Sequence, residues 1–190
     1  MRVTRRFTVR ETAYIALFTA LIAVCAWISI PVGEIAFTMQ TFAVFTAVGL
    51  LGTRCGTICV VVYILIGAAG APVFSNFTGG IGVLFGATGG YIIGFVFSAL
   101  LAGTLMKRVP EISGKWQTVA LQALAMLAGL IVCYAFGTAW FVLVYAPRAA
   151  KSVTILGALS ACVFPYILPD LCKIALALGL SRRLKPHIRL

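Results

Sequence analysis

The sequence has little charge, since charged residues make up 10% of its 190 residues and only 4 of them are acidic. With 62% hydrophobic residues and a mean hydropathy of +1.11, the chain cannot cover its apolar side chains inside one water-soluble core. This composition argues against soluble enzymes and soluble nucleic-acid-binding proteins. It predicts an integral membrane protein with no nucleic acid among its partners.

Residues typical of catalysis and metal binding are also scarce. The one histidine, His187, lies in a basic tail, and the sequence has no Ser/His/Asp set, no His-Glu-x-x-His motif and no carboxylate pair. Lys115 follows Gly114, but Val109 and Trp116 stand where a phosphate-binding loop needs Gly and Ser or Thr. We therefore expect no enzyme, no catalytic residues, no metal and no cofactor, and any use of ATP would need partner proteins.

The cysteines lack the spacing of a zinc finger or of a secreted disulfide framework. All of them lie in apolar runs: Cys25, Cys55, Cys59, Cys133, Cys162 and Cys172. We interpret them as reduced side chains of the protein core.

Long uncharged runs, separated by charged residues, organise the sequence. One membrane-spanning helix needs about 20 apolar residues, and the uncharged run 55–106 is long enough for two, with the Gly/Pro/Asn-rich segment 70–80 between them. We predict an all-α membrane protein that forms one domain, residues 1–190, with six transmembrane helices. The predicted spans are approximately 12–31, 35–53, 55–71, 81–106, 116–145 and 152–181.

The basic residues predict the orientation of the chain. With six spans, both termini and two loops share one side of the membrane, and that side carries 12 of the 15 Lys and Arg residues. The other side carries Arg148 and Lys151, and Lys173 lies within the last span. The positive-inside rule therefore predicts that both termini are cytoplasmic.

Asp170 and Lys173 are the strongest functional signal. Three residues apart on a helix, they share a face, and ionisable groups inside a span need a partner or a polar ligand. Pro165 and Pro169 precede them, and a proline removes a backbone donor, so we predict an irregular helix beside a cavity. The alternative is a structural pair in which the two charges only neutralise each other.

Asn76 lies between Phe74 and Phe77 in the outer segment, where its amide could bind a ligand that carries a urea or amide group. The alternative is a loop asparagine that satisfies a turn. Near the outer end of the fifth span, Trp140, with its aromatic neighbours Phe136 and Tyr145, indicates either an interfacial aromatic belt or the lining of a pocket.

Small residues recur at helical spacing in two spans. In the fourth span they indicate close helix packing or the floor of a site, near Tyr91, and they are Gly82, Gly86, Gly90 and Gly94, with Gly89 beside them. In the first span they are Ala13, Ala16 and Ala20. This second stripe indicates packing within the molecule, or a docking surface for another membrane subunit if it faces lipid.

Several stretches together carry a family resemblance: Thr38-Met-Gln-Thr-Phe-Ala-Val with Gly49-Leu-Leu-Gly52, Gly70-Ala-Pro-Val-Phe74, Gly79-Gly80, Thr88-Gly-Gly-Tyr91 with Gly94-Phe95, and Asp170-Leu-Cys-Lys173. With them, most of the chain resembles the BioY family, the biotin-specific substrate-binding (S) components of energy-coupling factor (ECF) transporters. The sequence departs from the family pattern at Ala87, where Pro is usual, and at Leu168-Pro169, where Pro-Gly usually precedes the aspartate.

The resemblance implies a six-helix S-component fold in a prokaryotic cell membrane that captures biotin from outside. The implied partners are membrane lipids, a transmembrane coupling protein that docks at the alanine stripe, and two ATPase subunits. The implied ligand-binding residues are Asp170, Lys173, Asn76, Thr88, Gly89, Gly90, Tyr91 and Gln40, with Phe74 and Trp140 as aromatic lining. Two alternatives stay open: an S component for another vitamin, and a non-transport membrane subunit in which Asp170 and Lys173 are a structural pair.

Overall fold

The computed structural model describes residues 7–32, 35–109, 115–150 and 152–188. Within these ranges, the elements in chain order are α1 (Val9–Trp27), β1 (Ser29–Val32), β2 (Ile35–Thr38), α2 (Gln40–Ala68), α3 (Ile81–Leu84), α4 (Gly89–Arg108), α5 (Lys115–Trp140), α6 (Ala146–Arg148), α7 (Ile155–Cys162) and α8 (Phe164–Leu184). A π-helical turn, Phe141–Tyr145, joins α5 to α6, and 3-10 turns occupy Ser75–Phe77 and Lys185–His187.

The helices have the length and composition of membrane spans. Five of the described helical segments are long and apolar enough to cross a membrane: Val9–Trp27, Gln40–Ala68, Gly89–Arg108, Trp116–Arg148 and Phe164–His187. The chain is therefore a multi-pass, mostly helical membrane protein, and this part of the prediction is confirmed.

α2 folds back on itself at Gly52. In an unbroken helix, which rises about 1.5 Å per residue, Gln40 and Tyr63 would stand about 35 Å apart, but the Gln40 amide lies 2.7 Å from the Tyr63 hydroxyl. Gly52 has φ 75° and ψ −179°, a conformation that side chains other than glycine's rarely allow. α2 therefore consists of two antiparallel halves, 40–51 and 53–68.

Contacts between distant segments show which parts share an end of the bundle. At the end of α1, Trp27 Nε1 donates to the Pro72 carbonyl over 2.9 Å, and the Trp27 ring stacks on Phe77 with centroids 5.1 Å apart. Near the other end of α1, Arg54 lies 4.1 Å above the ring of Phe7, next to the turn of α2. The β-hairpin and the loop after α2 therefore lie together, at what we call the hairpin end.

The hairpin corrects the prediction of an all-α chain. β1 and β2 pair antiparallel, with Ser29 opposite Thr38, in a segment that the sequence analysis assigned to the ends of the first two spans. This segment contains isoleucine, valine and phenylalanine, which are common in β-strands and are also apolar enough for a membrane span. Hydropathy alone does not distinguish an apolar strand from the end of an apolar helix.

The last predicted span is divided between α7 and α8. The chain leaves helical geometry at Val163, with φ −124° and ψ −56°. Pro165 then lies in the first turn of α8, where its missing N–H is not needed, and Pro169 lies inside the helix. An irregularity was predicted beside Asp170, and the structure has a break one to two turns before it.

Candidate functional site

A cavity lies at the hairpin end, between β2 and helices α2, α4, α5 and α8. The space between its lining atoms, counted together with its opening, is about 600 Å³, and apolar atoms dominate its surface. An apolar cavity wall that carries a few fixed polar groups is typical of a small-molecule site. Its polar and ionisable lining side chains are Thr38, Gln40, Thr41, Ser75, Thr88, Tyr91, Tyr134, Tyr166, Asp170 and Lys173.

Asp170 and Lys173 form a buried ion pair in the cavity wall. Lys173 Nζ lies 2.7 Å from Asp170 Oδ1, and the two side chains are 4% and 7% exposed, respectively. Lys173 Nζ also donates to the Thr38 carbonyl over 2.6 Å and lies 3.8 Å from the ring centroid of Phe37. Asp170 and Lys173 therefore neutralise each other, as the structural interpretation predicts. They also line a cavity, as the ligand-binding interpretation predicts.

Two tyrosines that sequence reasoning missed complete this wall. Tyr134, on α5, donates to Asp170 Oδ2 over 2.5 Å, and Tyr166 donates to the Ile35 carbonyl of β2. Tyr166 precedes Asp170 by four residues, so the spacing on α8 could have placed them on one face. No sequence pattern singles out Tyr134, because the apolar residues of α5 occupy all of its faces and do not show which face lines a site.

Gln40 lines the cavity at the start of α2, as predicted, and its side chain is 4% exposed. Its Nε2 donates to the Tyr63 hydroxyl over 2.7 Å, and its Oε1 accepts from the Thr38 hydroxyl over 3.1 Å. The amide is therefore held from two sides by neighbouring side chains, which fixes its position before any ligand arrives.

Thr88 and Tyr91 also line the cavity, and the Tyr91 hydroxyl lies 3.2 Å from that of Thr138. Gly89, the first residue of α4, is buried but is not part of the lining. The remaining lining residues are apolar or carry a thiol: Ile35, Ala36, Ile92, Phe95, Leu130, Cys133 and Cys162.

The glycine pattern does not form one helical stripe. α4 begins at Gly89, so Gly82 lies in the separate short helix α3 and Gly86 in the turn that follows it. Glycine costs roughly 1 kcal/mol relative to alanine in a helix, and several closely spaced glycines before α4 favour a broken segment. The expectation of one glycine-lined face on the fourth span is therefore corrected.

Gly90 and Trp140 form a helix-packing contact outside the cavity lining. A Cβ atom on Gly90 would lie 2.2 Å from the Cβ of Trp140. The Trp140 ring lies 6.4 Å from Phe136 and 6.2 Å from Phe85, and Arg148 lies 4.7 Å above Phe85. This geometry supports the packing interpretation of Gly90, and a ligand contact of Trp140 stays a prediction.

Asn76 and Phe74 also lie outside the lining, although Ser75 between them is part of it. The Asn76 side chain is exposed, and its Oδ1 accepts from the Ser29 hydroxyl over 2.9 Å. Phe74 is fully buried and packs edge-to-face on Tyr63, with centroids 5.5 Å apart. A contact of Asn76 with a ligand stays a prediction.

The alanine stripe faces outward. Ala13, Ala16 and Ala20 are all exposed on α1, so they do not pack within the described part of the chain. Ala16 and Ala20 line an open apolar groove between α1 and the second half of α2. The docking interpretation requires that the stripe face away from the rest of the chain, and the exposure of these alanines agrees with it.

No group of three or more His, Cys, Asp or Glu side chains that could hold a metal ion occurs among the described residues. The six cysteines are all described, and none of them forms a disulfide; five are buried and Cys172 is exposed.

The model of the BioY family matches residues 1–190. The chain belongs to the BioY family. The biotin transporter BioY of Thermotoga maritima is 40% identical over 176 residues, which cover 93% of this chain and 96% of that protein. The probable biotin transporter BioY of Pyrococcus horikoshii is 35% identical over 176 residues, with the same coverage of 93% and 96%.

The fold agrees with this family. A crystal structure described as the S-component for biotin from an ECF-type ABC transporter superposes with a TM-score of 0.78 and 27% identity, and the match covers 95% of both chains. The BioY resemblance and the S-component fold inferred from sequence are therefore confirmed.

The departures of this BioY chain from the family pattern lie next to the cavity lining but not in it. Ala87 precedes Thr88 in the turn before α4 but is not part of the lining, and neither are Leu168 and Pro169. The Leu168 side chain is 73% exposed on the outside of α8. The departures therefore replace no side chain of the cavity lining.

Proposed function

We propose that this protein binds biotin in the cavity at the hairpin end and takes it up as the S component of an ECF-type transporter. The observation that carries the proposal is the buried Asp170–Lys173 pair in the wall of a cavity, on a fold shared with a biotin S component. The function is ligand capture and transport rather than an enzymatic reaction.

Biotin has an apolar bicycle, a urea with two donors and one acceptor, and a carboxylate on a short chain. The cavity supplies matching groups: apolar and aromatic surface, an amide at Gln40, hydroxyl groups at Thr88 and Tyr91, and the Asp170–Lys173 pair. Each buried polar group that a wrong ligand left unpaired would cost about 1–3 kcal/mol. This cost supports selective binding of biotin without an enzymatic reaction.

The other predicted ligand-binding residues surround this lining. Asn76 and Phe74 flank Ser75 at the loop that reaches the cavity, and Gly89 and Gly90 lie in the first turn of α4 between Thr88 and Tyr91. We assign Asn76 a direct contact with the ureido ring, and Phe74, Gly89, Gly90 and Trp140 a supporting position behind the lining.

The arrangement of α2 supports six membrane crossings and cytoplasmic termini. The two halves of α2, 40–51 and 53–68, run antiparallel on either side of Gly52, so the chain would cross the membrane once in each direction, with β2 extending the shorter first half. With the other four long segments, this gives six spans. The turn of α2 and the start of α1 then share the basic, cytoplasmic side, and the hairpin end faces outward, where external biotin would enter.

The partners of this function are a transmembrane coupling protein and two ATPase subunits in the cell membrane. The sequence has no phosphate-binding loop of its own, which is consistent with separate ATPases. The exposed stripe of Ala13, Ala16 and Ala20 offers small side chains on which another helix can pack closely.

Titration calorimetry of biotin into the detergent-purified protein, freed of copurified ligand, tests the proposal. We expect binding of one biotin per protein, competition by desthiobiotin, and no competition by thiamine or riboflavin, because neither of these two vitamins combines a urea group with a carboxylate. Folded, empty protein that gives no heat with biotin, or that binds either other vitamin equally well, would contradict it.

A further inference from the structure

Tyr63 lies outside the cavity lining but contacts a residue inside it. Its side chain is 1% exposed in the second half of α2, and its ring packs edge-to-face on the fully buried Phe74, with centroids 5.5 Å apart. The Tyr63 hydroxyl is 2.7 Å from Gln40 Nε2. Because packing in the core fixes the ring, the hydroxyl is in place whether or not a ligand is bound.

The amide of Gln40 is held at its nitrogen by Tyr63 and at its oxygen by Thr38. The Thr38 hydroxyl donates to Gln40 Oε1 over 3.1 Å and accepts from the Gln40 backbone N–H over 3.4 Å. A primary amide has two N–H donors and two acceptor lone pairs. One donor and one lone pair therefore remain for a ligand in the cavity that Gln40 lines.

Thr38 also joins this amide to the charged pair, because its carbonyl accepts from Lys173 Nζ over 2.6 Å. Lys173 contacts Asp170, and Asp170 accepts from Tyr134. One hydrogen-bonded network thus runs along the cavity wall, and Tyr63 is the member that reaches it from behind. In a buried network, the loss of one member affects the geometry of the others.

We propose that Tyr63 is a positioning residue for the ligand site, which holds the Gln40 amide so that its remaining donor and acceptor face the cavity. An adjacent donor and acceptor of this kind fit the edge of an amide or urea group. The inference rests on the proposed function, since biotin is the probe with which it is tested.

The test is calorimetric titration of biotin into the full-length protein and the variants Tyr63→Phe, Gln40→Leu and Tyr63→Phe/Gln40→Leu. Tyr63→Phe keeps the ring that packs on Phe74 and removes only the hydroxyl. We expect it to weaken biotin binding roughly tenfold, and to add no further loss once Gln40 is leucine. Tyr14→Phe, at a half-buried tyrosine on α1 away from the cavity, is the matched control and should bind as the wild type does.

Each outcome supports or overturns the inference. Unchanged affinity in Tyr63→Phe overturns it, and so does an equal loss in the wild-type and Gln40→Leu backgrounds, because a purely structural role would act in both. A wild type that does not bind biotin refutes the proposed function instead. If Gln40→Leu has no measurable binding, Gln40→Asn replaces it, because its shorter side chain cannot keep the 2.7 Å contact with Tyr63; Tyr63→Phe should then add no further loss, and a further loss overturns the inference. If Tyr63→Phe does not fold, Tyr63→Leu takes its place in the same comparison.

Discussion

Lys173 Nζ lies 2.7 Å from Asp170 Oδ1 within the wall of the cavity, and the Thr38 carbonyl and the Phe37 ring contact the same ammonium group. Two opposite charges removed from water at this distance stabilise each other only when their remaining hydrogen-bonding groups also find partners. Here Tyr134 supplies the partner of the second carboxylate oxygen. A ligand therefore meets a polar surface that is already ordered.

Asp170→Asn is expected to weaken biotin binding and also to destabilise the empty protein. The change leaves the Lys173 ammonium buried beside a neutral amide, and breaking a buried ion pair costs about 3–5 kcal/mol. Titration calorimetry measures the affinity, and thermal unfolding without ligand measures the stability. Unchanged affinity would show that Asp170 is not part of the binding site.

Asp170→Asn/Lys173→Met separates the two roles of the pair. With both charges removed, no unpaired buried charge remains, so the double variant should recover most of the stability that Asp170→Asn loses. Biotin affinity should stay low, because the groups that contact the ligand are gone. Recovery of affinity together with stability would mean that the pair serves only the fold.

Tyr134→Phe removes one donor to the Asp170 carboxylate and leaves the ring in place. We expect weaker biotin binding, because the Asp170 carboxylate loses a group that holds it in place, and a loss of folding stability of about 1.5–3 kcal/mol, the usual contribution of a hydrogen bond to a charged group. A fluorescence or calorimetric titration measures the affinity, and thermal unfolding measures the stability. Wild-type affinity in Tyr134→Phe would contradict the assignment of Tyr134 to the site.

Gly90→Ala should destabilise the protein, because a Cβ atom there would lie 2.2 Å from the Cβ of Trp140. Overpacking of this kind costs about 1–3 kcal/mol. Gly179→Ala, on α8, is the matched control, because nothing lies within 4 Å of a Cβ at that position. Thermal unfolding in the same detergent compares the two variants. Equal melting temperatures for Gly90→Ala and Gly179→Ala would contradict the predicted contact.

Ala16→Leu and Ala20→Leu should leave biotin binding unchanged and reduce uptake in cells that supply the coupling protein and the ATPases. Both residues are exposed on α1, and larger side chains would prevent close packing of another helix. Ala175→Leu, at an exposed alanine of α8, is the control. Normal uptake by both α1 variants would place the docking surface elsewhere.

The general architecture could be predicted because few charges interrupt long apolar runs. Arg54 interrupts one such run, and the chain turns at Gly52 beside it. The hairpin of β1 and β2 was missed because its residues are as apolar as the spans they join. Hydropathy thus predicted where the chain meets the membrane, but not which secondary structure the apolar ends adopt.

The candidate site could be predicted where residue type was informative. Asp170 and Lys173 were found because charges are rare inside spans, and both line the cavity. Tyr134 was missed because an apolar helix does not reveal which of its sides is buried. The predicted ligand contacts of Asn76 and Trp140 rest on residue type alone, which does not reveal where a loop or a ring points.

An experimental structure of the protein with biotin bound tests the proposed binding site most directly. We expect biotin in the cavity at the hairpin end, with polar atoms of the ligand within hydrogen-bonding distance of Asp170 or Lys173 and of the Gln40 amide. Biotin bound at another surface, with the Asp170–Lys173 pair distant from it, would contradict the proposed site.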